Sequence, residues 1–216
     1  MNKTRKIAGL SSLFIAAAYL MAMPYFLLVV DYPSVTDPLE KLIMIRDNFT
    51  SMYAMYIIVY QFVAVALVVL SLALFRMVES EDSLLPRLMA AFGLIWACLL
   101  FASTMVFNYG MGTAIAAFEN DPVAGVWHWQ VIESVAQGLG GGGGEFLGGF
   151  WMLTLGILGL RVKIFPKTLS ILSLIIAVAG FISNVPFLHS VGVVFGLLQI
   201  IWFAWAGVFL LRRSRA

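Results

Sequence analysis

Six long apolar runs separated by short polar intervals account for nearly the whole chain, at about residues 7–30, 49–75, 88–109, 131–160, 168–185 and 190–211. An α-helix rising 1.5 Å per residue needs about 20 apolar residues to cross a hydrocarbon layer of about 30 Å, and each run is close to that length or beyond it. Inside lipid every backbone polar group must be satisfied within the segment itself, which makes helices of such runs. The pattern therefore predicts an all-α, polytopic membrane protein. One domain of six transmembrane helices fills residues 1–216 and leaves no soluble domain over.

The polar intervals refine this. Asn2 to Lys6 is a basic leader, and the 24-residue run behind it exceeds the 7–15 residues of a signal-peptide core. The run reads as an uncleaved first span with Pro24 as a kink. In the interval 31–48, Asp37-Pro38-Leu39-Glu40 has the form of a helix start, with Asp37 as cap, Pro38 in the first helical position and Glu40 able to reach back. Leu39, Leu42, Ile43 and Met44 then form an apolar stripe, as in a helix lying on the membrane surface. Asp121-Pro122 repeats the signal. Short amphipathic helices are expected on one face of the membrane.

Charge chooses that face. Eleven of the 13 Lys and Arg residues fall at the two termini and in the 76–87 and 161–167 loops. Lys41 and Arg46 alone lie on the other side. Such a bias predicts both termini in the cytoplasm and a multi-pass protein of the inner (plasma) membrane. The outer side then collects Asp31, Asp37, Glu40, Asp47, Glu119, Asp121 and Glu133.

Composition agrees. The chain is 62% hydrophobic and 11% charged, with mean hydropathy +0.99, where soluble domains carry about 25% charged residues. The bilayer is the expected partner, with a homo-oligomer or a larger membrane complex as a further one; no nucleic acid is expected. A lone cysteine, Cys98, rules out an intrachain disulfide. Two histidines cannot build a three-histidine zinc site, so no metal and no cofactor is expected.

The stretch Gln137–Trp151, QGLGGGGGEFLGGFW, is the densest candidate for chemistry. Glycine inside a helix costs about 1 kcal/mol relative to alanine. So many glycines point either to close helix packing or to a backbone that leaves the helix. Gly140/Gly144, Gly144/Gly148 and, in the last run, Gly192/Gly196 have the small-xxx-small spacing that lets helices approach. Glu145 follows the glycines. Counting back from Arg161 places it about 24 Å above the inner boundary, some 6 Å below the outer one. An ionisable residue inside an apolar run is a functional candidate by default.

If the glycines break the helix, the segment before them folds back and brings Glu133, Gln137 and His128 towards Glu145. Trp129 and Tyr56 belong to the same outer aromatic set, which reads as an interfacial belt or as the wall of a vestibule. Gln61, Asn184 and Gln199 read as interhelical hydrogen-bond partners. A phosphate loop is excluded, because no Lys-Ser or Lys-Thr follows the glycines. Three readings follow. The first is binding or transport of a small cationic or amphipathic molecule in an outward-facing acidic and aromatic pocket. The second is a structural or accessory subunit packed through its glycines. The third is a membrane enzyme using Glu145, Glu133 and His128; it has no nucleophile or metal motif behind it, so no catalytic residue is assigned.

Gly148-Gly149-Phe150-Trp151, then Arg161, then Phe165-Pro166-Lys167 before an apolar run form a hairpin pattern. With the length and the six spans, this pattern resembles the uncharacterised bacterial six-helix membrane proteins grouped as a domain of unknown function. The resemblance implies an all-helical inner-membrane protein and carries no activity. The five-glycine run is foreign to it.

Overall fold

The structure is a computed structural model that describes residues 2–80, 84–140 and 145–215. Among these the fold is all-α, with no strand. Helix α1 (Asn2–Pro24) runs on through a π-helical turn, Tyr25–Val29. After α2 (Pro38–Asp47) comes α3 (Phe49–Tyr56), which a π-helical turn at Ile57–Phe62 joins to α4 (Val63–Val78). Then follow α5 (Leu85–Asn120), α6 (Pro122–Gly140), α7 (Phe146–Val162), α8 (Lys167–Ile182) and α9 (Val191–Arg215).

Four rods are long and apolar enough to cross a membrane: Asn2–Val29, Phe49–Val78, Leu85–Asn120 and Val191–Ser214. Two apolar helices, Phe146–Val162 and Lys167–Ile182, are shorter.

These six pack as a ring in chain order. Helix α1 lies against α4, α4 against α5, α5 against α7, α7 against α8 and α8 against α9, and α9 closes on α1. The closure is tight because glycines face each other. A Cβ at Gly9 would sit 3.0 Å from the Gly207 carbonyl oxygen, and one at Gly207 equally close to that of Gly9. Ser12 Oγ donates to the Phe203 carbonyl at 2.7 Å across the same seam. Helices α1 and α9 therefore run antiparallel, and both chain termini lie at one end of the ring. We call this the terminal end and the opposite one the cap end.

The inside of the ring is not hollow at the terminal end. Trp151, Trp202 and Phe203 are at most 1% exposed, with ring centroids 5.7 Å apart for Trp151–Trp202 and 5.4 Å for Trp202–Phe203. Trp202 Nε1 donates to Ser173 Oγ at 2.7 Å. This aromatic plug blocks a straight path through the ring.

The helices differ from the apolar runs in two places. The third apolar run was expected to end near residue 109, yet α5 continues to Asn120, about 54 Å in all. Phe107, Met111 and Ala114, spaced at four and three residues, keep one face apolar past the run and bury it in a second core with Leu42, Ile45, Met52 and Trp129. The run 131–160, where the glycines left a helix break open, holds parts of two helices, α6 and α7, with Glu145 non-helical before α7 at φ −94°, ψ 50°. Gly141–Gly144 lie outside the described residues.

Helix α6 runs back along the far half of α5, with Gly125 against Phe118, Gly110 against Ile132 and Gly140 against Ser103. Helix α7 takes the near half, its Gly148 against Trp96. One long helix is thus covered by two shorter ones in series, and the upper pair with α2 and α3 forms a cap.

Both predicted helix starts exist. Asp37 Oδ1 accepts from the Leu39 and Glu40 N–H groups at 3.0 and 2.9 Å. Asp121 Oδ1 accepts from those of Val123 and Ala124 at 2.9 and 3.3 Å. Helix α2 is not, however, an isolated surface helix. Leu42 and Ile45 are fully buried in the cap and Leu39 is exposed, so the stripe that matters is 42/45 rather than 39/42/43/44.

Candidate functional site

A cavity of about 370 Å³ occupies the cap-end half of the ring, above the aromatic plug. Its walls come from α1, the π-helical turn before α4, α5 and α9, and from the α6–α7 junction. Most of the lining is apolar, including Trp96, Leu100 and Phe195. Four polar side chains interrupt it: Tyr19, Tyr60, Glu145 and Gln199.

The Glu145 backbone is held firmly. Its N–H donates to Ser183 Oγ at 2.9 Å, and Ser183 in turn donates to the Gly180 carbonyl at 2.7 Å. Its carbonyl accepts from the Gly149 N–H at 2.8 Å, which starts α7. The same carbonyl lies so close to α8 that a Cβ at Gly180 would be 2.8 Å from it. The side chain is left over, directed to the cavity. Among the described residues its carboxylate makes no hydrogen bond and no ion pair. Gln199 is 2% exposed, and its Nε2 has no hydrogen-bond partner among the described residues. Tyr19 and Tyr60 likewise form no side-chain hydrogen bond among the described residues.

Such an arrangement is unusual. A buried polar group without a partner costs about 1–3 kcal/mol, and a charged one more. Of the four, the Gln199 amide nitrogen is the one that is fully buried and unpartnered among the described residues; the Tyr19, Tyr60 and Glu145 side chains are part-buried at the cavity.

The other residues singled out from the sequence lie elsewhere. Glu133 belongs to the cap, where its Oε1 accepts from Tyr32 Oη at 2.6 Å, Lys41 Nζ at 3.1 Å and Gln137 Nε2 at 3.1 Å. Lys41 Nζ also sits 4.8 Å above the Tyr32 ring. Burial raises the Tyr32 phenol above its ordinary pKa, with nearby Tyr56 and Glu133 adding to the effect, so it remains a protonated donor. All three bonds go to Oε1 and tie Glu133 into the cap.

Trp129 is fully buried in the cap core, edge-on to Phe107 at 5.0 Å. Tyr56 stacks on Phe107 at 3.7 Å and on Tyr60 at 5.2 Å, one ring removed from the cavity. His128 is exposed on α6, and so is Gln137 apart from its bond to Glu133. The structure thus joins Glu133 to Gln137 and keeps both, with His128, away from Glu145. The break in the helix does not fold α6 over Glu145, because α6 is held to α5 along its length.

Of the packing glycines, Gly140 presses on Ser103 and Tyr60, and Gly148 on Phe195 and Trp96. Gly144 lies outside the described residues. Gly192 has one distant neighbour, Ser183 Cβ at 3.8 Å. Gly196 packs against nothing within 4 Å and lines the cavity instead. Of the expected interhelical partners, Asn184 donates to Gly180 of its own helix at 2.7 Å, and Gln199 leaves its amide open. Sequence reasoning missed Tyr19 and Ser183. Tyr19 is one tyrosine in a long apolar run, and its only signal is that polarity. Ser183-Asn184, just before Pro186, reads as a helix stop and gives no hint that it holds Glu145.

The cap network is testable by itself. Lys41→Met removes one donor from a carboxylate whose side chain is 13% exposed. The expected cost is about 1–3 kcal/mol. Hydrogen exchange should speed up in α2 and α6 and stay unchanged in α8 and α9.

No family model matches this sequence, and neither the curated proteins nor the solved structures contain a similar one.

Proposed function

We propose that this is a six-span protein of the inner (plasma) membrane, with both termini cytoplasmic, that binds or carries a small cationic or amphipathic molecule in the cavity beside Glu145. The membrane reading is supported by the four long apolar rods and by where the cations sit. Both termini, the end of α4, the start of α5, the end of α7 and the start of α8 lie at the terminal end, and these segments with Lys163 hold eleven of the 13 Lys and Arg residues. Helices α7 and α8 are about 26 and 24 Å long, short of a 30 Å layer. The Glu145 junction and the 183–190 loop extend them at the cap end. Orientation follows from the charge bias.

One observation carries the functional reading: Tyr19, Tyr60, Glu145 and Gln199 face an apolar cavity, and among the described residues their side chains form no hydrogen bond. A carboxylate there attracts a cation or a hydrogen-bond donor, and the apolar walls with Trp96 suit a hydrophobic body. The mouth differs from the one the sequence implied. The cap covers the outer end, and Glu133 and His128 do not flank an opening. The aromatic plug closes the inner end, so carriage across the membrane requires a conformational change and not a static pore. The resemblance in the 148–167 hairpin adds no activity to this reading.

Dodecylamine titrated against the purified protein in nanodiscs tests it. Glu145→Gln should weaken binding by roughly tenfold or more, the loss of one hydrogen bond to a charged group. Equal binding by the two proteins would sink the proposal and leave the bundle as a scaffold packed through its glycine faces.

A further inference from the structure

The cavity does not end inside the protein. Leu27, Val193 and Leu197 line it, yet they are 48%, 64% and 43% exposed on the outside of the ring. The space therefore breaks the surface between the end of α1 and the start of α9. The seam explains why. These helices touch at Gly9 and Gly207, and they part towards the cap end. There a Cβ added at Gly196 would meet no atom within 4 Å. The gap is a wedge, closed at the terminal end and open beside Gly196.

Depth decides what lies outside the gap. Counting up α9 from Arg212, Gln199 stands about 20 Å and Val193 about 28 Å above the inner boundary of a layer about 30 Å thick. The gap faces acyl chains of the outer half of the bilayer, not water. Above it, Phe26 belongs to both the cavity wall and the cap core, and the cap closes that route. Glu145 lies at the upper level of the gap, since α7 begins beside Phe195: a Cβ at Gly148 would meet that ring at 2.6 Å.

Resting on the cavity reading above, we propose that the occupant is a single-chain amphiphile of the outer leaflet whose head is an amine or a hydroxyl. It enters sideways between α1 and α9. Its head donates to the Glu145 carboxylate and meets the open amide of Gln199. Its tail lies along Met23, Leu197 and Ile200, at or below the level of Glu145, and leaves through the gap. The orientation is the one such a molecule already has in the leaflet, with the head near the interface and the tail in hydrocarbon. Entry then requires no inversion. An anionic head is rejected because Glu145 would face it across an apolar space. The cavity of about 370 Å³ takes the head and the first part of one chain.

The test uses the whole protein in nanodiscs and a long-chain amine with a diazirine at the tail end, beside an alcohol and a fatty acid of equal length. Labelling should fall on α1 and α9 around Met23, Leu197 and Ile200. The amine and the alcohol should label severalfold more than the fatty acid. Gly196→Leu adds a side chain where a Cβ meets no atom within 4 Å, so it should fold and cut labelling severalfold. Val193→Trp, at an exposed position, should do the same.

Labelling confined to the cap helices would overturn lateral entry. So would uptake that both gap variants leave unchanged. If in that case Glu145→Gln still abolished uptake, the cavity reading would survive and only the route and ligand class would fall. No uptake of any probe by the unaltered protein would remove both.

Discussion

Replacing Gly180 by leucine is expected to lower the thermal unfolding midpoint of the purified protein further than a leucine at any cavity-lining glycine. A Cβ there would lie 2.8 Å from the Glu145 carbonyl oxygen, 3.0 Å from Gly149 Cα and 3.0 Å from the Phe195 ring. Two of these three neighbours are backbone. That backbone cannot retreat cheaply, because Glu145 N–H is bonded to Ser183 and its carbonyl to the Gly149 N–H. A side chain forced into a filled site costs about 1–3 kcal/mol, and more where neither side yields. The cost also reaches function, since α8 would push away the segment that presents the Glu145 carboxylate. Dodecylamine binding should fall together with stability.

The control is Gly196→Leu. It adds the same atoms on the open wall and improves helix propensity by roughly 1 kcal/mol, so its midpoint should hold or rise. Equal losses in the two variants would mean that α7 and α8 do not approach as described.

The contrast between these two glycines also shows what a sequence can and cannot reveal. Gly140, Gly148, Gly192 and Gly196 share the same spacing and looked alike. Spacing reports which face of a helix a glycine occupies. It does not report whether another backbone is opposite. Gly180 sits among Ala177, Ala179 and Ile182 and belongs to no repeated glycine pair, yet a Cβ there would lie 2.8 Å from the Glu145 carbonyl oxygen.

The all-α class and the apolar rods were legible because burial in lipid writes itself as run length. The caps at Asp37 and Asp121 were legible because capping is local. The extension of α5 to Asn120 was not. Its last turns are apolar on one face only, and that face has meaning only when α2 and α6 are there to cover it. For the same reason Glu133 and Glu145 could be paired on paper. The sequence placed both near the outer face. Only the packing of α6 along α5, and of Lys41 against Glu133, separates them. Glu145 stood out since a lone carboxylate in an apolar run is conspicuous by itself. Gln199 could not be judged in advance, because whether an amide finds a partner is a property of the neighbouring helices.

Truncation of Trp202 should have the second large effect, and its cause differs from that of an overfilled site. In lipid the hydrophobic effect does not drive helices together, since acyl chains are as apolar as leucine. The ring is held by close packing and by a few hydrogen bonds, and Trp202 supplies both. It is fully buried, meets Trp151, Phe165 and Phe203 edge to face within 5.7 Å, and donates to Ser173 at 2.7 Å.

Trp202→Ala should cost about 3 kcal/mol, the lower end of the range for large aromatics, because the lipid reference lacks most of the transfer contribution. Trp202→Phe keeps much of the volume and loses one hydrogen bond, worth about 0.6 kcal/mol between membrane helices. The phenylalanine variant should therefore lie close to the unaltered protein in thermal midpoint. Indole added to Trp202→Ala should restore part of the loss, as an apolar cavity of engineered size takes up an aromatic guest. It should do nothing for Gly180→Leu, where no space was opened. The plug lies below the cavity, so Trp202→Ala should retain dodecylamine binding at temperatures where it is folded. Loss of binding without unfolding would mean that the plug, and not the Glu145 end, sets the shape of the site.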